Sequence, residues 1–208
     1  MDEARNKPLG KLEPNFIRQT IKAITFDIDG VIMPTGTFLR ENIDGTELTI
    51  KTHRLSAEMI NMLQELKKYV LINFSSGRSL LYLQNMLSDI LWDKVTLTAE
   101  NGNFILSEGK VEQIVEYNQE YFQKITNIRQ DLKKLKEEKP DLVHGFEPKH
   151  VIITIHTAGK MPEVEEIVRK HDQEGELYCL WTSEGYDIGS KKVNKLTGLE
   201  YLVKKLQI

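Results

Sequence analysis

Apolar and polar positions along the chain form two patterns, short continuous apolar runs and stretches of helical periodicity. Short apolar runs predict strands at residues 21–26, 69–74 and 95–99. Two stretches between these runs repeat an apolar residue every three or four positions, which predicts helices. One begins after Ser56, a candidate N-cap, and the other carries Leu80, Leu83 and Leu87. This alternation favours an α/β fold with a doubly wound parallel sheet.

Two further segments have the pattern of β-hairpins. In residues 36–52, Asp44-Gly45 lies between two strand-like stretches, and Asp-Gly is a strong short-range hairpin signal. Residues 100–114 directly follow the third predicted strand and have a similar pattern. We therefore expect one hairpin before the first helix and another after the third strand.

The character of the sequence changes at Glu116, where a polar segment with a new order of elements begins. The pattern predicts a helix over 118–136, a strand over 150–156, a helix opened by Pro162 and two short strands. The apolar stripe of the first helix is Phe122, Ile125, Ile128, Leu132 and Leu135. This order favours an antiparallel sheet with helices on one face.

The predicted organisation is therefore an α/β core interrupted by an inserted α+β module. We expect residues 1–20 to be an N-terminal extension, because Pro8, Gly10 and Pro14 interrupt any regular structure there. The core takes residues 21–115 and 190–208, with a final helix over 195–206, and the insert takes residues 116–189.

Charge and composition narrow the classes of partner. A net charge of −3 over 208 residues gives no electrostatic reason to expect nucleic acid or an anionic membrane. No apolar run approaches the roughly 20 residues that span a bilayer, and the polar N-terminus has no signal-peptide core. Cys179 is the single cysteine, which excludes an intramolecular disulfide. The expectation is a cytoplasmic protein without nucleic-acid or membrane partners.

Two carboxylates follow the first predicted strand, at Asp27 and Asp29, with Gly30 next to them. Open α/β sheets bind ligands at the carboxyl ends of their strands, so this pair is a candidate for acid–base or nucleophilic chemistry. The alternative is a solvated turn, in which Asp and Gly are common. An EF-hand calcium loop is excluded, because its twelfth position would be Phe38 or Gly36 and not Glu.

Two more segments carry candidate chemistry. The sequence Ser75-Ser76-Gly77-Arg78 ends the next strand, where a hydroxyl, backbone N–H groups and a guanidinium make an anion site. The alternative there is an N-cap with an exposed arginine, and the lysine and spacing of a Walker A loop are absent. Lys195 opens the last predicted helix, where a plain surface lysine is the alternative.

In this order, the segments resemble the motifs of the haloacid dehalogenase superfamily of phosphatases. The first motif, Asp-x-Asp-Gly-(Thr/Val) after an apolar strand, matches Asp27 to Val31, and the second, a Thr or Ser ending the next strand, matches Ser76. The Cof-like branch continues with Gly-Arg, as Gly77-Arg78 do here, and has Glu-Asn-Gly after its third strand, as at Glu100-Asn101-Gly102. The third motif is a lysine that matches Lys195, with Lys192 as a weaker candidate.

The resemblance implies a Rossmann-like core and an Mg²⁺-dependent phosphatase that acts on a small phosphorylated substrate. Asp27 would attack phosphorus and form an aspartyl-phosphate, and Asp29 would protonate the leaving oxygen and then activate water. Asp27 and Asp29 would hold Mg²⁺, with Ser76 and Lys195 on the phosphoryl oxygens. The residues implied to bind substrate or phosphate are Gly30, Gly77, Arg78 and Asn101.

The inserted module stands where this family places its larger cap, and its order of elements is similar to the caps of sugar-phosphate phosphatases. The resemblance implies that the cap selects the leaving group, through residues such as Glu147, Lys149, His156 and Thr182. The histidines at 144, 150 and 156 are interpreted as strand or loop positions in preference to a metal site.

The family's fourth motif, an acidic Gly-Asp-x-x-x-Asp segment, is not found in the sequence. Its strand lies beside the first strand in the family, so we expect the core to lack its last strands and residues 21–26 to form a sheet edge that favours self-association. We expect a fragment or a short form of a longer phosphatase. The alternatives are an inactive relative that binds a phosphometabolite or a protein, a phosphomannomutase-like enzyme, and a 3-deoxy-octulosonate 8-phosphate phosphatase-like enzyme.

Overall fold

The computed structural model describes residues 21–208, together with Lys11, Glu13 and Asn15. The rest of the predicted N-terminal extension, residues 1–20, lies outside the described residues. In chain order the elements are β1 (Ala23–Phe26), β2 (Phe38–Glu41), β3 (Leu48–Lys51), α1 (Ala57–Leu66), β4 (Leu71–Ser75), α2 (Leu80–Met86), β5 (Val95–Ala99), β6 (Phe104–Ser107), β7 (Lys110–Gln113), α3 (Gln119–Glu138), β8 (Val143–Glu147), β9 (Ile153–Thr157), α4 (Pro162–His171), β10 (Leu177–Trp181), β11 (Gly185–Ser190) and α5 (Lys195–Leu206).

The core sheet has five strands in the order β1-β4-β5-β6-β7. β1, β4 and β5 are parallel, and the β6–β7 hairpin extends the sheet with two antiparallel strands. A short 3₁₀ turn, Glu100–Gly102, joins β5 to β6. The predicted α/β class with a parallel-containing sheet is confirmed, and the predicted hairpin after β5 is the antiparallel part of that sheet.

Helices cover both faces of the core sheet. Successive side chains of a strand point to opposite faces, so neighbouring residues of β5 contact different helices. On one face Leu97 of β5 packs in an apolar cluster with Leu63 of α1 and Leu83 of α2. On the other face Thr98 meets α5 at Gly198, where an added Cβ would lie 2.7 Å from the threonine methyl carbon. Leu97 and Leu83 are fully buried, so this cluster is the apolar interior of the sheet.

The second sheet is fully antiparallel, with the order β10-β11-β9-β8. Helices α3 and α4 pack against it and against each other around a second apolar cluster that includes Ile128, Leu132, Ile155 and Val164. Asn118 caps α3 by accepting the Tyr121 N–H, and Pro162 lies in the first turn of α4. The antiparallel sheet with helices on one face is therefore observed.

Two expectations for this second unit were wrong in detail. Phe122 is 40% exposed, and the neighbouring Tyr121 is buried in its place, because its hydroxyl finds a partner in the Val151 carbonyl. Strand β8 was missed, since His144, Gly145 and Glu147 break the apolar run that would predict a strand.

The predicted hairpin of residues 36–52 is present as β2 and β3, which pair with each other in a separate two-stranded sheet. Its strand β2 packs against β8 of the second sheet. Within the described part of the chain, no helix is long and apolar enough to cross a membrane.

Candidate active site

A cavity of about 820 Å³ lies between the core sheet and the second sheet. Asp27, Ser76 and Asn101, which follow or end the strands β1, β4 and β5, line it from the core side. Glu147 and His156 line it from the second sheet. The cavity therefore lies at the carboxyl ends of the parallel strands, where folds of this class bind ligands.

The turn after β1 presents two carboxylates to this cavity. Ile28 is fully buried in the core cluster, and the residues on either side of it, Asp27 and Asp29, line the cavity. Gly30 closes the turn with a φ of +76°, and its N–H donates to the Met33 carbonyl at 2.7 Å. Glycine adopts this left-handed conformation without steric cost, which explains its place directly after the pair.

Asp27 is paired with the ammonium of Lys195. The Nζ of Lys195 donates to Oδ2 of Asp27 at 2.6 Å, and the other carboxylate oxygen accepts the N–H of Ile28 at 2.8 Å. Lys192, the weaker candidate for the same role, instead lies 4.0 Å from Glu176. The structure therefore brings Lys195, and not Lys192, to the first carboxylate.

The start of helix α5 holds Lys195 in this position. The side chain of Asn194 caps the helix by accepting the N–H groups of Leu196 and Thr197. The helix start lies against the 100–102 turn, because a Cβ on Gly102 would be only 2.2 Å from the Asn194 carbonyl oxygen. A residue larger than glycine at 102 would force the turn or the start of α5 to shift.

Asp29 is held by Arg78. Its two carboxylate oxygens accept from Nε at 2.9 Å and from Nη2 at 2.6 Å, and Nη2 also donates to the Thr37 hydroxyl. The guanidinium packs over the ring of Tyr82, and its Nη1 is buried without a partner among the described residues. Arg78 was predicted to bind phosphate, whereas the structure places most of its hydrogen-bonding capacity on Asp29 and Thr37.

The segment after β4 is a tight turn made of Ser76, Gly77 and Arg78. The hydroxyl of Ser76 accepts the Arg78 N–H at 3.2 Å, and its carbonyl accepts the Asn101 N–H at 3.1 Å. The Asn101 amide contacts the Tyr178 hydroxyl at 3.2 Å and Asp187 at 3.3 Å. Except for Gly30, which forms the turn, all the sequence-predicted site residues line the cavity.

The second sheet contributes a buried charged group to the cavity wall. Glu147 accepts from Lys149 at 3.0 Å and contacts Nε2 of His156 at 2.9 Å. Burial raises the pKa of Glu147, but the nearby Lys149 and His156 outweigh it and lower the pKa to about 2. With Thr182, these are the four cap residues predicted to contact substrate, and all four line the cavity.

Several solved structures share this architecture. The C-terminal domain of a C. albicans trehalose-6-phosphate phosphatase is similar with a TM-score of 0.64, 20% identity, and coverage of 88% of this chain and 61% of that chain. A B. subtilis haloacid dehalogenase-like hydrolase is similar with a TM-score of 0.58, 15% identity, and coverage of 90% and 80%. The chain has the fold of the haloacid dehalogenase phosphatases.

A third structure with the haloacid dehalogenase fold broadens the range of named substrates. Plasmodium falciparum IMP-nucleotidase has a TM-score of 0.57 and 17% identity, with coverage of 90% of this chain and 51% of that chain. The chain thus spans about three-fifths of the C. albicans domain and half of the nucleotidase. No protein-family model and no curated protein sequence matches the chain.

Magnesium is the cofactor that the haloacid dehalogenase resemblance implies, so the donors for it can be examined. Both oxygens of Asp27 are engaged by Lys195 and the Ile28 N–H, and both oxygens of Asp29 by Arg78. Among the described residues, no group of three or more His, Cys, Asp or Glu side chains is placed to hold a metal ion. The residues present therefore do not fit a cation held by several protein ligands.

The sequence reasoning missed several polar residues that the fold brings to this site. Asp187 is buried on β11, where Thr154 and the Asn101 amide donate to it, and Tyr178 contacts the same amide from β10. Neither stands in a motif, and both belong to strands whose pattern indicates only a sheet. The fully buried carboxyl of Glu100 was noticed only as part of the Glu-Asn-Gly match, and its contacts required the structure.

Proposed function

We propose that the chain is a phosphomonoester hydrolase of the haloacid dehalogenase type, acting on a small phosphorylated metabolite. The observation that carries this proposal is the pair formed by Asp27 and Lys195 in the cavity, with Asp29 two residues further along the same turn. A carboxylate beside an ammonium is suited to attack phosphorus while the positive charge is near the phosphoryl oxygens.

In the proposed reaction the Asp27 carboxylate forms a bond to phosphorus as the bond from phosphorus to the ester oxygen breaks. Asp29 protonates that leaving oxygen, and this step requires at least one of its contacts with Arg78 to open and the freed oxygen to take up a proton from solvent. Asp29 then accepts a proton from water, which attacks the aspartyl-phosphate and releases inorganic phosphate. Ser76 and Lys195 stabilise the phosphoryl oxygens in both steps.

The direct test is phosphate release by the parent chain and by Asp27→Asn. We expect the substitution to remove activity by at least about a thousandfold, because the nucleophile is lost. The matched control is Asp141→Asn, which changes an exposed aspartate outside the cavity and should behave as the parent. Equal phosphate release by Asp27→Asn and the parent would refute the nucleophile.

Mg²⁺ dependence is a separate part of the proposal; it is supported by the resemblance of the motifs and not by the donor groups of the cavity. The same assay, run with added Mg²⁺ and with a chelator, tests it without any variant. Loss of activity with the chelator and its return with Mg²⁺ are expected. Activity that is equal in both conditions would leave the phosphatase proposal in place but remove the cation from it.

A sugar phosphate is the proposed substrate class. It is supported by Glu147, Lys149, His156 and Thr182, which bring several hydrogen-bonding groups from the second sheet to the cavity. A panel of trehalose 6-phosphate, glucose 6-phosphate and IMP compares a disaccharide, a monosaccharide and a nucleotide. A preference for IMP would contradict the sugar-phosphate class. The cytoplasmic location of the protein is a separate prediction from the sequence.

An inactive relative that binds a phosphometabolite is the second candidate, and one observation favours it. Both oxygens of Asp29 are engaged by Arg78, an arrangement that suits binding more than proton transfer. If no substrate of the panel is turned over but inorganic phosphate binds in calorimetry, this candidate replaces the first.

A further inference from the structure

The connection between β8 and β9, residues 148–152, leaves the second sheet and enters the core. Two of its residues, Val151 and Ile152, are nearly fully buried and belong to the apolar cluster of the core sheet. We name residues 148–152 the docking loop. The burial of these two apolar side chains anchors the docking loop in the core. The loop thereby connects the second sheet to the core close to the candidate active site.

The carboxyl of Glu100 receives the backbone of the docking loop. One oxygen accepts the N–H of His150 at 2.9 Å and lies 3.0 Å from its ring Nδ1, and the other accepts the N–H of Val151 at 3.0 Å. Glu100 has no exposed surface. A buried carboxyl without such donors would be strongly unfavourable, so the fit between this group and the loop is specific.

Glu100 is also joined to the segment that follows β4. Its N–H donates to the Arg78 carbonyl at 3.0 Å, and the next N–H, of Asn101, donates to the Ser76 carbonyl at 3.1 Å. Both residues have positive φ values, 49° and 56°, a conformation uncommon outside glycine. The surrounding hydrogen bonds therefore hold the backbone of Glu100 in an unusual conformation directly beside the turn of Ser76, Gly77 and Arg78, which is the proposed phosphate-binding turn.

Lys149, in the docking loop next to His150, contacts the same turn at Gly77. Its Nζ donates to the Gly77 carbonyl at 2.6 Å and lies 3.0 Å from a carboxylate oxygen of Glu147. Its side chain is 2% exposed, so the ammonium is held in this position. The orientation of the turn that contains Ser76 thus depends on a residue of the docking loop.

We infer that Glu100 is a positioning residue, which seats the docking loop so that Lys149 holds the Gly77 carbonyl and orients the phosphate-binding turn. The inference rests on the proposed function for its effect on turnover, but the coupling between Glu100, Lys149 and the turn can be measured without it. Loss of the Glu100 carboxyl and loss of the Lys149 ammonium should have the same consequence. In both cases the Gly77 carbonyl is no longer held by the docking loop.

Three variants test the coupling: Glu100→Gln, Lys149→Met and the double variant. Glutamine keeps one acceptor but turns an amide donor toward the donors of the loop. We expect each single variant to raise KM for a phosphomonoester by roughly tenfold, the size typical of one lost hydrogen bond to a charged group, with a much smaller change in kcat. The double variant should raise KM no further than the larger single effect, because the two residues act through one contact.

Amide hydrogen exchange gives a second readout that does not require activity. Glu100→Gln should speed exchange in residues 149–152 and 76–78, whereas Lys149→Met should speed it mainly in 76–78. His150→Ala is a milder variant that loses the ring contacts with Glu100 and Phe104 but keeps the backbone N–H, and it should fold and show a smaller change in the docking loop. Glu112→Gln is the matched control, since Glu112 pairs with Lys205 and Tyr201 away from this loop.

The two proposals fail in different ways. If the parent chain releases no phosphate, the proposed function fails, and the exchange data alone decide the inference. Unchanged exchange in residues 76–78 in both single variants would overturn the inference, as would KM effects that multiply in the double variant. A Glu100→Gln protein that only unfolds at lower denaturant, with parent KM and parent exchange in 76–78, would also overturn it.

Discussion

At the scale of single residues, the lowered pKa of Glu147 links the cavity wall to stability. The pKa falls from an ordinary 4.5 to about 2, despite burial, because of Lys149 and His156. Between these values the unfolded chain binds a proton at Glu147 that the folded chain does not, so stability rises with pH across this window and is lost as pH falls toward 2. The full contribution is on the order of 3 kcal/mol.

Glu147→Gln should therefore flatten the dependence of unfolding free energy on pH between about 2 and 4.5. It should also lower stability at neutral pH, since Lys149 would remain buried without its anionic partner. Denaturant unfolding across this pH range measures both effects. Glu138→Gln, an exposed change on α3, is the control, and a Glu147→Gln slope equal to that control would contradict the assignment.

Single residues also show how far sequence reasoning reaches. Asp27 and Lys195 are 168 positions apart, and their presence in one site was predicted because each matches a motif that the resemblance places at the phosphoryl group. Their direct contact was not predicted. The Asp29–Arg78 pair was not expected, although both residues had been singled out. A guanidinium fits phosphate and carboxylate equally well, so only coordinates distinguish the two.

At the scale of elements, the β2–β3 hairpin is attached to helix α3 by a buried ion pair. Lys136 of α3 donates to Glu41 at 2.6 Å and to the Asn42 carbonyl at 2.6 Å, and its side chain is 5% exposed. Lys136→Met should lower the free energy of unfolding by roughly 3 kcal/mol, because Glu41 would be left largely buried without its cation. Denaturant unfolding measures this loss.

The same substitution should speed amide exchange across residues 38–51, since the hairpin loses its attachment to α3. Lys133→Met changes an exposed lysine three positions earlier on α3 and should alter neither quantity. If the hairpin exchanges at the parent rate in Lys136→Met, its position depends on the packing of β2 against β8 and not on the ion pair.

Elements were predictable where periodicity and capping agree. Helix α5 was expected over 195–206 and is observed there, since Asn194 supplies a cap and the apolar positions repeat regularly. Strand β8 was missed because its burial comes from tertiary contacts, with the neighbouring strand β9 and with the β2–β3 hairpin, which is distant in sequence. A local pattern of apolar residues does not predict such contacts.

At the scale of the whole molecule, the sequence predicted an α/β core interrupted by an inserted α+β module, and the structure has two larger sheets, each with its own apolar cluster. The division at residues 115–116 and 189–190 remains a prediction. The docking loop shows why a boundary in sequence is insufficient: residues 148–152 lie within the predicted insert, yet Val151 and Ile152 pack in the core cluster. Apolar character predicts that they are buried but not which cluster they join.

The last prediction concerns the edge of the core sheet, where β1 has a neighbouring strand on one side only among the described residues. The Lys22 carbonyl accepts the N–H of Leu71, so the backbone groups of Lys22 point toward β4. Along a strand these groups alternate in direction, so the N–H and C=O groups of Ala23 and Thr25 point to the open side. We propose that two copies of the chain pair along this edge.

Sedimentation equilibrium over a wide range of protein concentration should then show a monomer–dimer equilibrium. Ala23→Pro removes one donor from the open side without removing a bond to β4, so it should shift the equilibrium strongly toward monomer while the chain stays folded. Val111→Pro, whose N–H points to the open side of the opposite edge strand β7, is the control and should leave association unchanged. A parent chain that is monomeric at every concentration, or association equal in parent and Ala23→Pro, would exclude pairing through β1.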